Sequence, residues 1–441
     1  MIKLKLFAIV LFSFSTLSGV QNPAPQQVPA SSIQTEELDR DLGDLRYAEL
    51  EEQLKTMPEG TERGYFEGIL ANRAGQMEKS ARLLEDALPH LNLNQRRRKA
   101  LGIAALADDY LKLFRYKTAT QQYSILLNEY PRDIDPAALD GIRDDFGIIQ
   151  LIADYPPQQI ERTGPTRIKT FHSPLGTIDT TLTVNGVQSP WILDTGANFS
   201  LVTASLAKQL GVKPSEKTAQ TKGGTNGLEN TLRVGLLPKL TLGGATIRNI
   251  VVLIFEDRDM KITYGPNMSY QIKAVLGYPV FQMLGSATFT ADGNFIAGLP
   301  DKDAGAFSRV FMNKLTPLVE STVDGRKLLF AFDTGASGSE FTKRYYDAFP
   351  SQFRILKPAS INDGGAGGVK KQQVYVLPQV TIQIGGQKVV LHKVPVMPSL
   401  LGTEIDDSYG NLGRDITAAF ESFTVDFSNM RFSLGKPLST Q

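Results

Sequence analysis

Two short stretches of the chain share the tetrapeptide Asp-Thr-Gly-Ala: WILDTGANFS at Trp191–Ser200 and FAFDTGASGS at Phe330–Ser339. In each, an apolar run leads into the aspartate and small polar residues follow, as at the end of a buried strand. A hydrolase that activates water with a carboxyl pair needs two such groups, one ionised and one protonated. The sequence therefore predicts that Asp194 and Asp333 form one site.

The flanks of the two copies repeat as well. Before each aspartate, two strand-like runs are joined by a turn, at Asn185-Gly186 in the first copy and Asp324-Gly325 in the second. After each aspartate come a glycine cluster, a strand pair around Gly-Gly and a Leu-Gly step. These segments are Lys222–Gly227, Leu237–Ile247 and Leu276-Gly277, then Asp363–Gly368, Leu377–Val389 and Leu412-Gly413. Landmarks in fixed order, roughly 140 residues apart, indicate an internal duplication.

Each copy resembles a retropepsin-like aspartic protease protomer, and the pair in one chain resembles the two-lobed arrangement of aspartic proteases. The resemblance covers residues 166–441. It implies two β-barrel lobes, 166–300 and 306–441, with an active cleft between them. Neither glycine cluster carries the tyrosine usual in pepsin-type flaps, which favours the retropepsin-like branch.

The resemblance also implies roles for single residues. Asp194 and Asp333 would share one proton and activate water, with neither assigned as acid or base because the pair titrates as a unit. The remaining implied site residues are the active-turn supports Thr195, Gly196, Thr334 and Gly335, the substrate-binding flap glycines Gly223, Gly224, Gly364 and Gly365, and the residues packed under the site, Leu276, Gly277, Leu412 and Gly413.

Alanine follows Asp-Thr-Gly in both copies, at Ala197 and Ala336. Pepsin-like lobes usually carry Ser or Thr there, and that hydroxyl can donate to an ionised carboxylate and lower its pKa. Its absence predicts a mildly acidic to near-neutral pH optimum.

The amino terminus predicts export. Met1–Lys5 is basic and LFAIVLFSFS is apolar, so residues 1–20 resemble a signal peptide, with an uncleaved membrane anchor as the alternative. No later segment is apolar enough to span a bilayer. The chain has no cysteine, which excludes disulfides and thiol catalysis and fits a periplasmic or extracellular bacterial protein. Residues 21–34, rich in Pro, Gln and Ser, predict a disordered linker.

Residues 35–156 have helical periodicity. Gly68, Ala71, Ser80, Leu84 and Ala87 recur about 39 residues later as Ala107, Tyr110, Ala119, Tyr123 and Leu126. This pattern resembles a short tetratricopeptide-like array, whose groove would bind a peptide or a protein partner. A plain helical bundle packed on the protease lobes is the alternative. Pro156–Arg167 is predicted to be the linker into the first lobe.

Other chemistries find little support. Lys plus Arg is 47 and Asp plus Glu is 46, so the charge gives no reason to expect nucleic acid. His90, His172 and His392 lack metal-ligand spacing, and no G-x-S-x-G elbow or phosphate loop occurs. No metal or cofactor is predicted.

The predicted fold class is therefore multidomain, with an α-helical repeat domain followed by a two-lobed, duplicated β-barrel protease fold. The predicted function is an aspartic endopeptidase acting on polypeptides, with both aspartates from one chain. Two alternatives remain: a catalytically inactive peptide-binding or scaffold protein derived from such a protease, and lobes that pair with those of another chain.

Overall fold

The computed structural model describes residues 30–222, 228–263, 269–298, 306–365 and 368–438. The predicted signal peptide, residues 1–20, lies outside this range. The first helix begins at Ala30, within the stretch 21–34 that the sequence predicts as a linker. Pro29 is the last helix-breaking residue of that stretch, and a proline directly before a helix loses no intrahelical hydrogen bond.

Helices make up the described chain as far as Ile149. They are α1 (Ala30–Gly43), α2 (Tyr47–Thr56), α3 (Thr61–Arg73), α4 (Met77–Ala87), α5 (Arg96–Lys112), α6 (Tyr116–Glu129) and α7 (Pro136–Ile149). Helix α3 packs against α4, and α5 packs against α6. Both sets of periodic small and apolar residues are buried. A Cβ atom on Gly68 would lie 2.8 Å from Leu84 Cδ2, so glycine permits the close approach of α3 and α4.

A buried polar cluster joins α3 to α5. Lys112 Nζ lies 2.6 Å from Asp108 Oδ2, and Asn72 Nδ2 donates to Asp108 Oδ2 at 2.7 Å and to Asp109 Oδ1 at 2.8 Å. Burial raises the pKa of Asp109 to about 7, an effect that Lys112 opposes and the Asp108 charge reinforces. Burying these groups costs free energy that their mutual contacts must offset.

This cluster predicts a pH-dependent stability. Folded Asp109 binds a proton between about pH 4 and pH 7 that the unfolded chain has already lost, so the free energy of unfolding should fall as pH rises through this window. For this residue the fall should reach up to about 4 kcal/mol. Urea unfolding, followed by far-ultraviolet circular dichroism at several pH values, should show a smaller pH slope in Asp109→Asn. The exposed Asp86→Asn should keep the wild-type slope, and equal slopes in all three proteins would contradict the assignment.

Strands dominate the rest of the chain. The elements of the first half are β1 (Gln159–Arg162), β2 (Thr166–Lys169), β3 (Phe171–His172), β4 (Ile178–Val184), β5 (Val187–Leu193), β6 (Ser200–Thr203), α8 (Ala204–Gln209), β7 (Ala219–Lys222), β8 (Glu229–Leu242), β9 (Ala245–Phe255), β10 (Lys261–Thr263), β11 (Ser269–Gln271), β12 (Ala274–Leu276), α9 (Tyr278–Leu284), β13 (Ser286–Thr290) and β14 (Asn294–Ala297). Strand β1 lies in the stretch predicted to be a linker before residue 166. It pairs with β9 because Ile160 packs on the core there.

The second half contains the same kinds of element. They are β15 (Ser308–Asn313), β16 (Thr316–Val323), β17 (Arg326–Phe332), β18 (Glu340–Phe341), α10 (Lys343–Ala348), β19 (Ala359–Gly365), β20 (Gly368–Ile384), β21 (Gln387–Val396), β22 (Gly410–Leu412), β23 (Ser422–Asp426) and β24 (Arg431–Leu434). The predicted hairpin turns are confirmed: Asn185-Gly186 and Asp324-Gly325 have positive φ at both residues, as a two-residue hairpin turn requires.

Strand order repeats between the halves. The first half reads β4-β5-β12-β6-β9-β8-β7 and the second reads β16-β17-β22-β18-β21-β20-β19, so each strand before an aspartate lies beside the strand of its own Leu-Gly step. Each such pair, β5 with β12 and β17 with β22, is parallel. The halves are joined where β13 pairs with β23. Asp194 and Asp333 therefore each follow a strand that is paired, in parallel, with the strand of its own Leu-Gly step.

The helical part docks on this β-rich part through polar contacts. Lys314 Nζ lies 2.6 Å from Asp145 Oδ2, and Arg309 Nη1 lies 2.9 Å from Glu51 Oε2. Gln282 Nε2 donates to the Lys112 carbonyl at 2.9 Å. Within the described residues, no helix combines the length and the apolar composition needed to cross a membrane.

Candidate active site

Asp194 and Asp333 occupy matching positions. Asp194 follows the last residue of β5 and its amide donates to the Leu276 carbonyl at 3.0 Å; Asp333 follows β17 and donates to the Leu412 carbonyl at 3.0 Å. The two carboxyl groups face each other, and each lies against the glycine of the opposite turn, Asp194 against Gly335 and Asp333 against Gly196. The structure thus brings together the two aspartates that the sequence pairs.

Thr195 and Thr334 cross-brace the two turns. The Thr195 amide donates to Thr334 Oγ1 at 2.9 Å, and the Thr334 amide donates to Thr195 Oγ1 at 3.2 Å. Each hydroxyl then donates across to the opposite strand, to the carbonyls of Phe332 and Leu193. Both threonines are fully buried, so these bonds are shielded from competing water.

Gly196 and Gly335 leave room for the opposite carboxyl group. A Cβ atom on Gly196 would lie 2.6 Å from Asp333 Cγ, and one on Gly335 would lie 2.7 Å from Asp194 Cγ. Distances below 3 Å are not tolerated between such atoms, so a larger residue at either position would push the acids apart.

The Leu-Gly steps pack under the turns. Leu276 and Leu412 are buried. A Cβ atom on Gly277 would lie 2.5 Å from the Phe199 carbonyl oxygen, and one on Gly413 would lie 2.6 Å from the Gly338 carbonyl oxygen. The glycines therefore allow the chain segment after each active turn to cross directly over the Leu-Gly strand.

Burial raises the pKa of Asp194 well above its usual range, and the neighbouring Asp333 charge and hydrogen bond raise it further. The amides of Gly196 and Ala197 oppose this rise by donating to Asp194 Oδ1 at 2.9 and 3.1 Å. A pair in which one carboxyl stays protonated while the other ionises is what general acid–base hydrolysis requires.

Two residues beside Asp333 lie outside the set that the sequence predicts. The buried Asn411 donates from Nδ2 to Asp333 Oδ2 at 3.3 Å. The half-buried Arg414 interacts electrostatically with Asp333, Asp179 and Asp415, and burial lowers its pKa. The signal for Asn411 was in the sequence, since it immediately precedes the second Leu-Gly where the first copy has Val275.

A cavity of about 620 Å³ opens at Asp333. Its β-rich wall includes Gly196, Asp333 and Asn411. Its other wall is helical and includes the residues Leu101, Ala104, Ala105, Asp108, Ala138, Gly141, Ile142, Asp144 and Asp145 of α5 and α7. The space beside Asp333 is therefore bounded by both parts of the chain.

Two of the four predicted flap glycines, Gly364 and Gly365, lie within the described residues. Gly223 and Gly224 lie outside the described residues, between β7 and β8, and the neighbouring Lys222 lines the cavity. Gly364 and Gly365 end β19, where Gly365 pairs with Gly368 of β20.

A family model described as an aspartyl protease matches residues 180–280, which contain the first active turn and Leu276-Gly277. The chain contains an aspartyl protease-like domain. No curated protein matches the chain.

Solved structures similar to the chain include conglutin gamma, a basic 7S globulin from lupine seeds, at 8% identity over 63% of this chain and 95% of that one. Basic 7S globulin from soybean matches at 10% identity over 62% of this chain and 96% of that one. Each has a TM-score of 0.38, too low to support a conclusion about fold or function.

The cross-brace predicts a stability effect. Thr195→Val keeps the shape of the side chain but leaves the Thr334 amide and the Phe332 carbonyl unpaired in a buried site, which should lower the free energy of unfolding by about 1–3 kcal/mol. Thr334→Val should cost a similar amount, and the exposed strand variant Thr241→Val should cost little. Chemical denaturation of the four proteins measures this; a Thr195→Val as stable as Thr241→Val would contradict the cross-brace.

Proposed function

We propose that the protein is an aspartic endopeptidase whose catalytic dyad, Asp194 and Asp333, comes from one chain. The observation that carries the proposal is the placement of each carboxyl group against the glycine of the opposite turn, on turns that Thr195 and Thr334 cross-brace. A match of residues 180–280 to an aspartyl protease model supports it. The repeated strand order supports a two-lobed, duplicated β-barrel arrangement of the halves.

The reaction follows from a shared proton. The ionised carboxyl takes a proton from a water molecule while the protonated carboxyl donates a hydrogen bond to the scissile carbonyl oxygen. Water oxygen bonds to the carbonyl carbon, and the tetrahedral intermediate then releases the amine when the C–N bond breaks and the nitrogen takes up a proton. The dyad ends with the one proton it had at the start, so no metal or cofactor is required.

The proposed substrate is a polypeptide bound in extended form. The hairpins β7–β8 and β19–β20 are the proposed flaps, whose backbone groups would pair with the substrate as an added strand. We further propose that the helical part, a tetratricopeptide-like array, contributes to substrate or partner binding, since α5 and α7 line the cavity at Asp333.

Export is proposed from the amino-terminal sequence alone. The basic start and apolar core of residues 1–20 support a periplasmic or extracellular location, with anchoring by an uncleaved segment as the alternative.

The first test is turnover of an unfolded protein and a peptide library at several pH values. Asp194→Asn should lower the rate at least about a thousandfold, because an amide cannot exchange the catalytic proton. The exposed Asp347→Asn should retain activity. The wild-type optimum should lie above the ordinary aspartate pKa of about 4, because burial keeps Asp194 protonated to higher pH.

Three outcomes would overturn parts of this proposal. If wild type and Asp194→Asn turn over substrate equally, the dyad is not the catalytic site. If neither turns over substrate while both bind peptide, the chain is a binding or scaffold protein. If the rate per molecule falls steeply on dilution, the dyad is not formed within one chain.

The helical wall can be tested separately with Gly141→Trp. A Cβ atom on Gly141 of α7 meets no atom within 4 Å, so the ring should enter the cavity without disturbing the fold. We expect KM for a protein substrate to rise about tenfold or more, because the ring occupies space that the substrate needs. Gly164→Trp, at another open position that does not line the cavity, is the matched control; equal kinetics in both variants would show that the helical wall does not contact substrate.

A further inference from the structure

The backbone hydrogen bonds around the two aspartates match almost one for one. Gly196 and Gly335 each donate to Oδ1 of their own aspartate, at 2.9 and 2.7 Å. Gly277 and Gly413 each donate to a serine hydroxyl at 3.1 Å. Because these backbone hydrogen bonds are so similar, a difference between the environments of the two acids must have another source. It must come from side chains or from the one extra backbone bond, which the Ala197 amide donates to Asp194 Oδ1.

The equivalent positions Val275 and Asn411 supply such a difference. In β12, Val275 pairs with Ile192, two residues before Asp194; in β22, Asn411 pairs with Ala331, two residues before Asp333. The side chain of Val275 has no polar group, whereas Asn411 donates to Asp333 Oδ2. Asn411 is 1% exposed, lines the cavity, and its Oδ1 has no partner among the described residues.

The donors distribute differently over the four carboxyl oxygens. On Asp333, Oδ1 accepts from the Gly335 amide and Oδ2 accepts from Asn411. On Asp194, the two backbone amides both donate to Oδ1. A hydrogen-bond donor favours an oxygen without a proton, so Asp194 Oδ2 is the oxygen best placed to carry the shared proton.

Charge acts in the same direction. Arg414 is a cation that interacts electrostatically with Asp333, and with Asp179 and Asp415 as well. Asp415 is also held by the Ser339 amide and hydroxyl, and Asp179 by the Thr177 hydroxyl. At the position equivalent to Arg414, the first half has Tyr278, whose ring packs on Phe427.

We infer that Asn411, together with Arg414, holds the negative charge of the dyad on Asp333 and leaves the shared proton on Asp194. Asn411 is then a positioning residue, Asp333 the base that takes the proton from water, and Asp194 the acid that faces the scissile carbonyl. This assignment rests on the proposed function, because it names roles within that reaction.

Exchange of the two equivalent side chains tests the inference. Asn411→Val replaces the amide with the side chain that the first half has at the equivalent position, so Asp333 should protonate more readily. The acid limb of the kcat/KM profile should rise by about one pH unit, and kcat should fall on the order of tenfold. Val275→Asn alone adds a donor near Asp194 and should lower the acid limb.

The double variant Val275→Asn/Asn411→Val returns one amide to the dyad, now beside the other acid. Its acid limb should move back toward the wild-type value, because the apparent pKa values belong to the pair. A purely structural role of Asn411 predicts no such recovery, since Val275→Asn repairs nothing around residue 411. An unchanged or lowered acid limb in Asn411→Val would overturn the inference.

A titration that does not depend on turnover separates this inference from the proposed function. Carboxyl carbon shifts of ¹³C-labelled aspartate, followed by NMR against pH, should show the lower apparent pKa of the dyad rising in Asn411→Val. Equal titrations in wild type and variant would overturn the role of Asn411 whether or not the protein cleaves peptides. An inactive wild type with the expected titration shift would instead remove the proposed function and keep the asymmetry.

Discussion

The paired hydrogen bonds between Thr195 and Thr334 are the constraint on which the site depends. Two carboxyl groups in contact repel each other when both are ionised, and each turn alone could relax by moving its acid toward solvent. The threonines prevent this because each hydroxyl accepts from the amide of the opposite turn and donates to a carbonyl of the strand that leads into that turn. Because the backbone holds the two carboxyl groups close together, the pair avoids their repulsion by keeping one proton.

Much of this arrangement could be predicted because it is encoded locally and twice. The hairpin turns at Asn185-Gly186 and Asp324-Gly325 require residues that tolerate positive φ, and the Leu-Gly steps require a missing side chain. Because only a few residue types meet such requirements, they can be recognised from the residue type at that position in the sequence. The repetition of these signals pairs Asp194 with Asp333 before any contact between them is known.

What could not be predicted depends on contacts between distant segments. Strand β1 lies in an apparent linker, since only pairing with β9 gives Ile160 its place on the core. The helical wall of the cavity and the buried Lys112–Asp108 pair have no periodic signature, because one depends on how α5 and α7 dock and the other on how α3 meets α5. Lys112 in particular has the sequence context of an exposed helix end, and packing alone buries it.

The departures from the repeat carry information of a different kind. If the two acids had identical surroundings, the shared proton would have the same free energy on either carboxyl group. Neither acid would then have a fixed role in the reaction. The second half has Asn411 where the first half has Val275, and Arg414 where the first half has Tyr278. Of the two acids, only Asp333 therefore has this amide and this cation beside it. Residues that are the same in both halves hold the backbone of the site in place. Residues beside the acids that differ between the halves can give the two carboxyl groups different catalytic roles.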